Sequence, residues 1–178
     1  MRYILVVLCI GMVLQGRAQV WDNLQNIQVT FKIKNVGIEV DGKFTDVKGS
    51  GKVDQANFSN SVFDGVIQAS SVFTDNTMRD GHLRSKKEFF DVANFPQIKM
   101  KSVKAASALT NGSYKVDWLL TMKGVTKKIT TDVLVYANGN ALNVLTVFKL
   151  NRLDWKLGSK SLTMADEVIV VLSGNFLR

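Results

Sequence analysis

The chain has 178 residues, of which 46% are hydrophobic and 21% are charged. These proportions exclude an intrinsically disordered chain and indicate one globular domain with a core of its own. The formal net charge of +8 permits contact with phosphates or anionic lipid headgroups. The lysines recur at spacing two, as at Lys32 and Lys34, which favours a solvated outer face of a strand.

The N-terminus has the pattern of a signal peptide. After a positive start, the uncharged apolar run Tyr3–Leu14 precedes small residues at Gly16 and Ala18, the spacing that signal peptidase requires. The run is too short for a comfortable membrane span. We therefore expect residues 1–18 to be a signal peptide that is cleaved near Ala18. The mature domain would be residues 19–178, in the periplasm or secreted.

Cleavage at this point would remove Cys9, the only cysteine of the chain. The mature protein would then have no disulfide, no thiolate nucleophile and no cysteine-based metal site. One histidine, His82, with scattered carboxylates does not make a set of metal ligands. The sequence therefore predicts no metal site and no covalent cofactor.

Apolar and polar residues alternate along most of the chain, which is the pattern of half-buried strands. The predicted strands cover residues 28–34, 38–53, 62–71, 98–103, 114–122, 129–135, 142–150 and 168–176. Asn111-Gly112 and Asn138-Gly139 are hairpin turn signals, and short turns require antiparallel neighbours. We predict an all-β fold, a single eight-stranded antiparallel lipocalin-like β-barrel, because closure removes exposed strand edges.

The alternation stops in the segment Ser70–Met100, between the third and fourth predicted strands. Charged residues cluster there, together with His82 and Pro96, which are the only histidine and the only proline. Asp75 and Thr77 are plausible N-caps, and Met78, Leu83 and Phe90 supply an apolar side, so residues 77–90 are expected to hold a short helical insertion. The segment is expected to cap one end of the barrel.

The inward-facing stripes of the predicted strands carry no charge. The barrel interior is therefore either filled by side chains or forms an apolar cavity for one slender ligand. Each CH₂ group buried in such a cavity contributes about 0.8 kcal/mol. The candidate lining residues, chosen by strand register, are Phe31, Ile33, Phe63, Ile67, Met100, Trp118, Leu120, Val133 and Phe148. Ordinary core packing is the alternative interpretation for each of them.

Several motifs occur in a fixed order along the predicted mature chain. They are Phe31–Gly37, Val40–Phe44, Arg79–Ser85, Phe89–Asp91, Phe95–Pro96, Leu120–Lys127 and Asn151–Trp155. In these motifs the chain resembles the YceI-like family of periplasmic, lipocalin-like barrels that bind polyisoprenoid chains. Two positions depart from the family pattern: Asn35 stands where histidine is common, and Trp155 stands where phenylalanine is usual.

The resemblance implies a binding protein for an amphiphile with a polyisoprenoid-like tail, such as an isoprenoid quinone or a polyprenyl lipid. The function would be storage, transport or sequestration outside the cytoplasm. Arg79, Asp80 and His82 would lie at the barrel mouth. They would either contact a ligand headgroup or satisfy the backbone of the capping loop. Asn35 weakens the idea that two histidines act together on a headgroup.

Two other functions stay open at this point. An interaction module would have a barrel filled by side chains, and its basic face would contact acidic partners or a membrane surface. An enzyme would use His82 as a general base beside Asp80, but Ser85 has no nucleophile-elbow context, and we expect no enzymatic activity. The export signal argues against nucleic-acid binding. Peripheral membrane contact and a homodimer are left open.

Overall fold

The computed structural model describes residues 20–110 and 112–177, so the predicted signal peptide and its cleavage site lie outside the described residues. Within these ranges the chain forms eleven strands, one α-helix and three short 3₁₀ turns. The strands are β1 Val20–Trp21, β2 Leu24–Asn35, β3 Ile38–Phe44, β4 Val47–Asp54, β5 Val62–Gln68, β6 Val72–Phe73, β7 Gln97–Thr110, β8 Ser113–Met122, β9 Val125–Asn138, β10 Ala141–Asn151 and β11 Met164–Leu177. The helix α1 is Thr77–Ser85, and the 3₁₀ turns are Phe58–Asn60, Ala69–Ser71 and Arg152–Trp155.

All strands belong to one curled sheet with the order β1-β4-β5-β7-β8-β9-β10-β11-β2-β3-β6. Neighbouring strands are antiparallel throughout this order. The sheet curls back on itself, so that the start of β2 lies against β4. A Cβ added to Gly49 on β4 would be only 2.8 Å from Cδ1 of Ile27 on β2. The prediction of an all-β antiparallel fold is therefore confirmed. The predicted closure into a barrel is not, because β1 and β6 end the strand order of the described residues and do not pair with each other. In the described part of the chain, no helix combines the length and apolar character needed to cross a membrane.

The prediction of eight strands was wrong, since the described residues form eleven. Two additional strands, β1 and β6, have only two residues each, too few for an alternating pattern. The third comes from a break at Thr45 and Asp46 in the predicted strand 38–53. The N–H of Thr45 donates to the carbonyl of Ser71 at 3.1 Å, and Asp46 accepts from the N–H of Gln68 at 3.0 Å. The chain changes partners there, from β2 and β6 to β1 and β5.

The helix α1 falls within the predicted range 77–90 but follows the sixth strand, not the third. It begins after Asn76, whose side chain accepts a hydrogen bond from the N–H of Arg79 at 2.9 Å, the usual role of an N-cap residue. Of the two predicted hairpin turns, Asn138-Gly139 joins β9 to β10. Asn111 lies outside the described residues, while Gly112 has a φ of +80°, as the predicted turn requires.

Aromatic side chains fill one end of the interior. Phe58 stacks on Tyr114 with ring centroids 3.7 Å apart, and Phe63 packs against Trp118 and Phe176 with centroids 5.7 and 6.4 Å apart. The indole N–H of the buried Trp118 donates to Oγ1 of Thr131 at 2.9 Å, so its polar atom is satisfied. We call Phe58, Phe63, Tyr114, Trp118 and Phe176 the aromatic floor. It closes this end of the interior.

The loop after β4 depends on Asp54. Its carboxylate accepts hydrogen bonds from the N–H of Asn57, from the side chain of Asn60 and from the N–H of Ala56, at 2.9, 3.2 and 3.0 Å. These hydrogen bonds, the one from Asn57 above all, lower the pKa of Asp54. Because the folded pKa is depressed, this stabilisation is present above roughly pH 4 and is lost as the pH falls through the lowered pKa.

We expect Asp54→Asn to lower the free energy of unfolding at pH 7 and to have a progressively smaller effect below about pH 4. The reason is that protonation removes the same charged acceptor from the unmodified protein. Urea unfolding of both proteins at several pH values measures the difference. Two stability profiles that stay parallel down to the acid limit would contradict this assignment.

Candidate ligand-binding site

The other end of the interior contains a cavity of about 510 Å³, within the usual size range of small-molecule sites. Its wall is predominantly apolar and comes from β2, β3, β4, β5, β7, β8, β10 and β11, with α1 and the segments next to it. Of the twelve predicted site residues, eight line this cavity. They are Phe31, Ile33, Ile67, Met100, Leu120, Phe148, Arg79 and His82.

The remaining four predicted residues lie elsewhere. Phe63, Trp118 and Val133 line a separate space of about 60 Å³ next to the aromatic floor. This small cavity shares Met100 and three other wall residues with the main one, so the two spaces adjoin. Asp80 lines neither cavity.

Several wall residues were not among the sequence candidates. On β11, Val168, Val170 and Leu172 face the cavity, but this strand is almost continuously apolar and its sequence has no alternation that separates two faces. Pairing with β2 supplies the missing information, because Val168 lies opposite Ile33 and Val170 lies opposite Phe31. Directly paired residues of antiparallel strands share a face.

A hydrogen-bond network joins α1 to the segment before it. The Thr74 hydroxyl donates to Oδ1 of Asp80 at 2.6 Å and accepts from Nε of Arg79 at 2.7 Å. The N–H of Thr74 also donates to the Asp80 carboxylate, at 2.9 Å, and Nη2 of Arg79 donates to the Thr74 carbonyl. Asp80 is only 3% exposed. The geometry therefore supports the structural role for Asp80, which is committed to Thr74.

Arg79 and His82 differ from Asp80, since both line the cavity. Together with Thr74, Asn76 and Asn35 they are polar side chains on a predominantly apolar wall. His82 and Asn76 are exposed to solvent, and Arg79 and Asn35 are partly exposed, so these four lie towards the cavity mouth, whereas Thr74 is buried. Such a group can hydrogen-bond to the polar end of a ligand. Among the described residues, no cluster of histidine, aspartate and glutamate side chains is arranged to hold a metal ion.

A second buried network fixes the wall near the end of β10. The guanidinium of Arg152 is almost fully buried and lines the cavity. It donates to the carbonyls of Leu157, Ser159 and Ala165 at 2.7, 2.8 and 2.9 Å, and it pairs with Asp166 at 2.9 Å. The planar guanidinium carries five N–H donors, so one side chain can satisfy these three carbonyls and the carboxylate together. Arg152 therefore holds the link between β10 and β11 against the cavity.

The tryptophan that departs from the family pattern has a polar partner of its own. Trp155 is 2% exposed, and its indole N–H donates to the carbonyl of Leu120 at 3.1 Å. Phenylalanine would leave this carbonyl without that donor. Trp155 therefore fastens the 3₁₀ turn Arg152–Trp155 to β8, which supports one side of the cavity.

A curled antiparallel sheet around an apolar cavity, with polar groups at the mouth, defines a class of small all-β proteins with an internal binding site. Within that class, the model of the YceI-like domain family matches residues 22–176, and the chain belongs to this family. The resemblance seen in the sequence motifs is thereby confirmed.

Relatives of known sequence lead to the same family. The chain is 36% identical to a UPF0312 protein of Yersinia enterocolitica over 117 residues, and 36% identical to one of Yersinia pestis over 118 residues. Each match covers 65% of this chain and 59% of the relative. The chain thus matches less than two thirds of the length of these curated relatives.

Solved structures share the fold. BcnA of Burkholderia cenocepacia superposes with a TM-score of 0.79 at 24% identity, covering 84% of this chain and 95% of that one. The YceI protein of Campylobacter jejuni gives 0.70 at 23% identity, covering 78% and 85%. A polyisoprenoid-binding domain from Saccharophagus degradans, implicated in plant cell wall breakdown, gives 0.65 at 16% identity, covering 89% and 99%. At these identities the comparisons establish the fold.

Proposed function

We propose that this protein binds an amphiphile with a polyisoprenoid-like tail, such as an isoprenoid quinone or a polyprenyl lipid. The observation that carries the proposal is the cavity of about 510 Å³ with its apolar wall. Membership of the YceI-like family and the fold shared with a polyisoprenoid-binding domain support the same class of ligand. The bound lipid would be stored, transported or sequestered outside the cytoplasm, as the N-terminal signal pattern suggests.

The energetics favour a tail that contains no polar group. Each CH₂ group moved from water into the cavity contributes about 0.8 kcal/mol, so one five-carbon isoprene unit contributes roughly 4 kcal/mol before ordering costs. The polar groups of Arg79 and His82 lie where the headgroup would emerge. In this arrangement the tail provides the affinity and the mouth selects the headgroup.

Binding fits these observations better than the two alternatives. An interaction module with a completely filled barrel does not match a cavity of about 510 Å³. An enzyme with His82 and Asp80 acting together does not match the commitment of Asp80 to Thr74. The family and its structural neighbours likewise favour a binding protein.

Native mass spectrometry of the protein purified from its own host tests the proposal. We expect a stoichiometric hydrophobic adduct, and organic extraction followed by fragmentation would identify its tail and headgroup. Protein stripped of lipid should regain the adduct after incubation with polyprenols or isoprenoid quinones in detergent. A mass that stays that of the polypeptide alone after both treatments would refute lipid binding.

A further inference from the structure

Four exposed apolar side chains surround the cavity mouth. Val36, Ile38, Met78 and Leu162 are 68%, 69%, 74% and 107% exposed. They come from three separate segments: the turn between β2 and β3 with the first residue of β3, the first turn of α1, and the link before β11. We call these four residues the apolar rim.

The rim residues lie next to residues that line the cavity. Met78 is itself part of the cavity wall. The N–H of Val36 donates to the carbonyl of Thr163, the neighbour of Leu162, at 2.7 Å. Asn35 directly precedes Val36, and Met164 follows Leu162 by two positions. These two residues are paired between β2 and β11, and both line the cavity. The exposed apolar surface is therefore continuous with the opening.

The charged residues beside the rim are predominantly basic. The link at residues 156–163 has two lysines and no carboxylate. The N–H of Gly158 in this link donates to the carbonyl of Glu88, three residues after the end of α1. The nearby carboxylate of Glu39 is already paired with Lys32, at 2.6 Å. Among the exposed charged side chains of these segments, five lysines outnumber three carboxylates; the lysines are Lys34, Lys86, Lys87, Lys156 and Lys160, and the carboxylates are Glu39, Asp75 and Glu88.

We propose that the apolar rim docks the cavity mouth onto the surface of an anionic lipid bilayer. Aliphatic side chains surrounded by lysines match the two layers of such a surface, since the apolar groups enter the acyl boundary and the ammonium groups meet the anionic headgroups. An opening pressed against the bilayer would let a tail pass between membrane and cavity without exposure to water. This benefit depends on the proposed lipid binding, whereas the docking itself does not.

Vesicle flotation tests the docking directly. The full protein is mixed with vesicles of phosphatidylcholine and phosphatidylglycerol, and separately with vesicles of phosphatidylcholine alone. We expect binding to the anionic vesicles that weakens at high salt, because surface attraction is screened. The double variant I38S/L162S should partition at least about tenfold more weakly, because it removes two apolar anchors. Neither Ile38 nor Leu162 lines the cavity.

The matched control is V103S/V147S. Val103 and Val147 are 58% and 56% exposed but lie on β7 and β10 without lining the cavity. We expect this control to float like the unmodified protein. Absence of flotation of the unmodified protein, or equal flotation of I38S/L162S, would overturn the docking proposal. Native mass spectrometry of the same proteins in detergent reports tail binding independently, so each proposal can fail without the other.

Discussion

Replacement of Gly65 by leucine is expected to abolish tail binding while the fold stays intact. Gly65 lies on β5 and lines both the main and the small cavity. A Cβ at this position would meet backbone oxygens no closer than 3.9 Å, and the rest of the side chain would extend into the cavity that Gly65 lines. Those carbons would occupy the space that the tail requires.

The expected loss of affinity follows from the volume that leucine takes. Exclusion of about four carbons of the tail removes roughly 3 kcal/mol of binding free energy, which is more than a hundredfold in affinity. Titration of lipid-free protein with a fluorescent polyprenyl or quinone analogue measures this change. The free energy of unfolding should be unchanged or higher, because part of the cavity is filled.

Gly81→Leu is the matched control for this experiment. Gly81 lies on α1, does not line either cavity, and a Cβ there would meet no atom within 4 Å. We expect normal tail binding and a slightly more stable helix, since glycine is unfavourable within helices. Equal affinities of Gly65→Leu and the unmodified protein would show that the tail does not occupy the cavity.

Arg152→Met is expected to cause the largest loss of stability. The substitution keeps a similar length but leaves the carbonyls of Leu157, Ser159 and Ala165 without their donors, and it leaves Asp166 without its cation. Buried polar groups that lose their partners cost about 1–3 kcal/mol each when water cannot replace them. Because Asp166 is partly exposed, we expect a total loss of about 3 kcal/mol in the free energy of unfolding.

Urea unfolding compares this variant with Lys127→Met. Lys127 pairs with Asp154 at 2.8 Å, but both side chains are well exposed, at 42% and 50%. Such surface pairs contribute at most about 1 kcal/mol. Arg152→Lys should resemble Arg152→Met more than the unmodified protein, because an ammonium group cannot reproduce the planar fork. A loss for Arg152→Met no greater than that for Lys127→Met would contradict the structural role of Arg152.

Strand alternation predicts which face of a strand is internal, but it does not predict depth along the interior. Phe31 and Leu120 were identified by the same rule as Phe63 and Trp118, yet the first pair lines the main cavity and the second belongs to the aromatic floor. Phe63 and Trp118 belong to the floor because their rings pack against each other across the sheet. That information lies in long-range pairing and not in the periodicity of any one strand.

The sequence pattern also does not predict which polar side chains hydrogen-bond to each other. The sequence left open a general base at His82 beside Asp80, although no enzymatic activity was expected. In the structure the carboxylate of Asp80 accepts from Thr74, and His82 lines the cavity. The break at Thr45 has a signal in the sequence, since the apolar positions change phase there, from Ile38, Val40 and Phe44 to Val47 and Val53. Reading residues 38–53 as one strand overlooks this slip, which would turn the second half to the other face. The family motifs, by contrast, correctly identified the family, although the number of strands predicted with it was wrong.

The aromatic floor makes the cavity a dead end on that side. A tail inserted from the mouth would have to be withdrawn through the same mouth, so loading and unloading compete for one passage and the protein would exchange lipids instead of conducting them. The residence time of a bound tail would then increase steeply with its length, because every additional isoprene unit must leave the apolar wall before release. Long-tailed lipids would be held as a slowly exchanging reserve, and short-tailed ones would be handed over quickly.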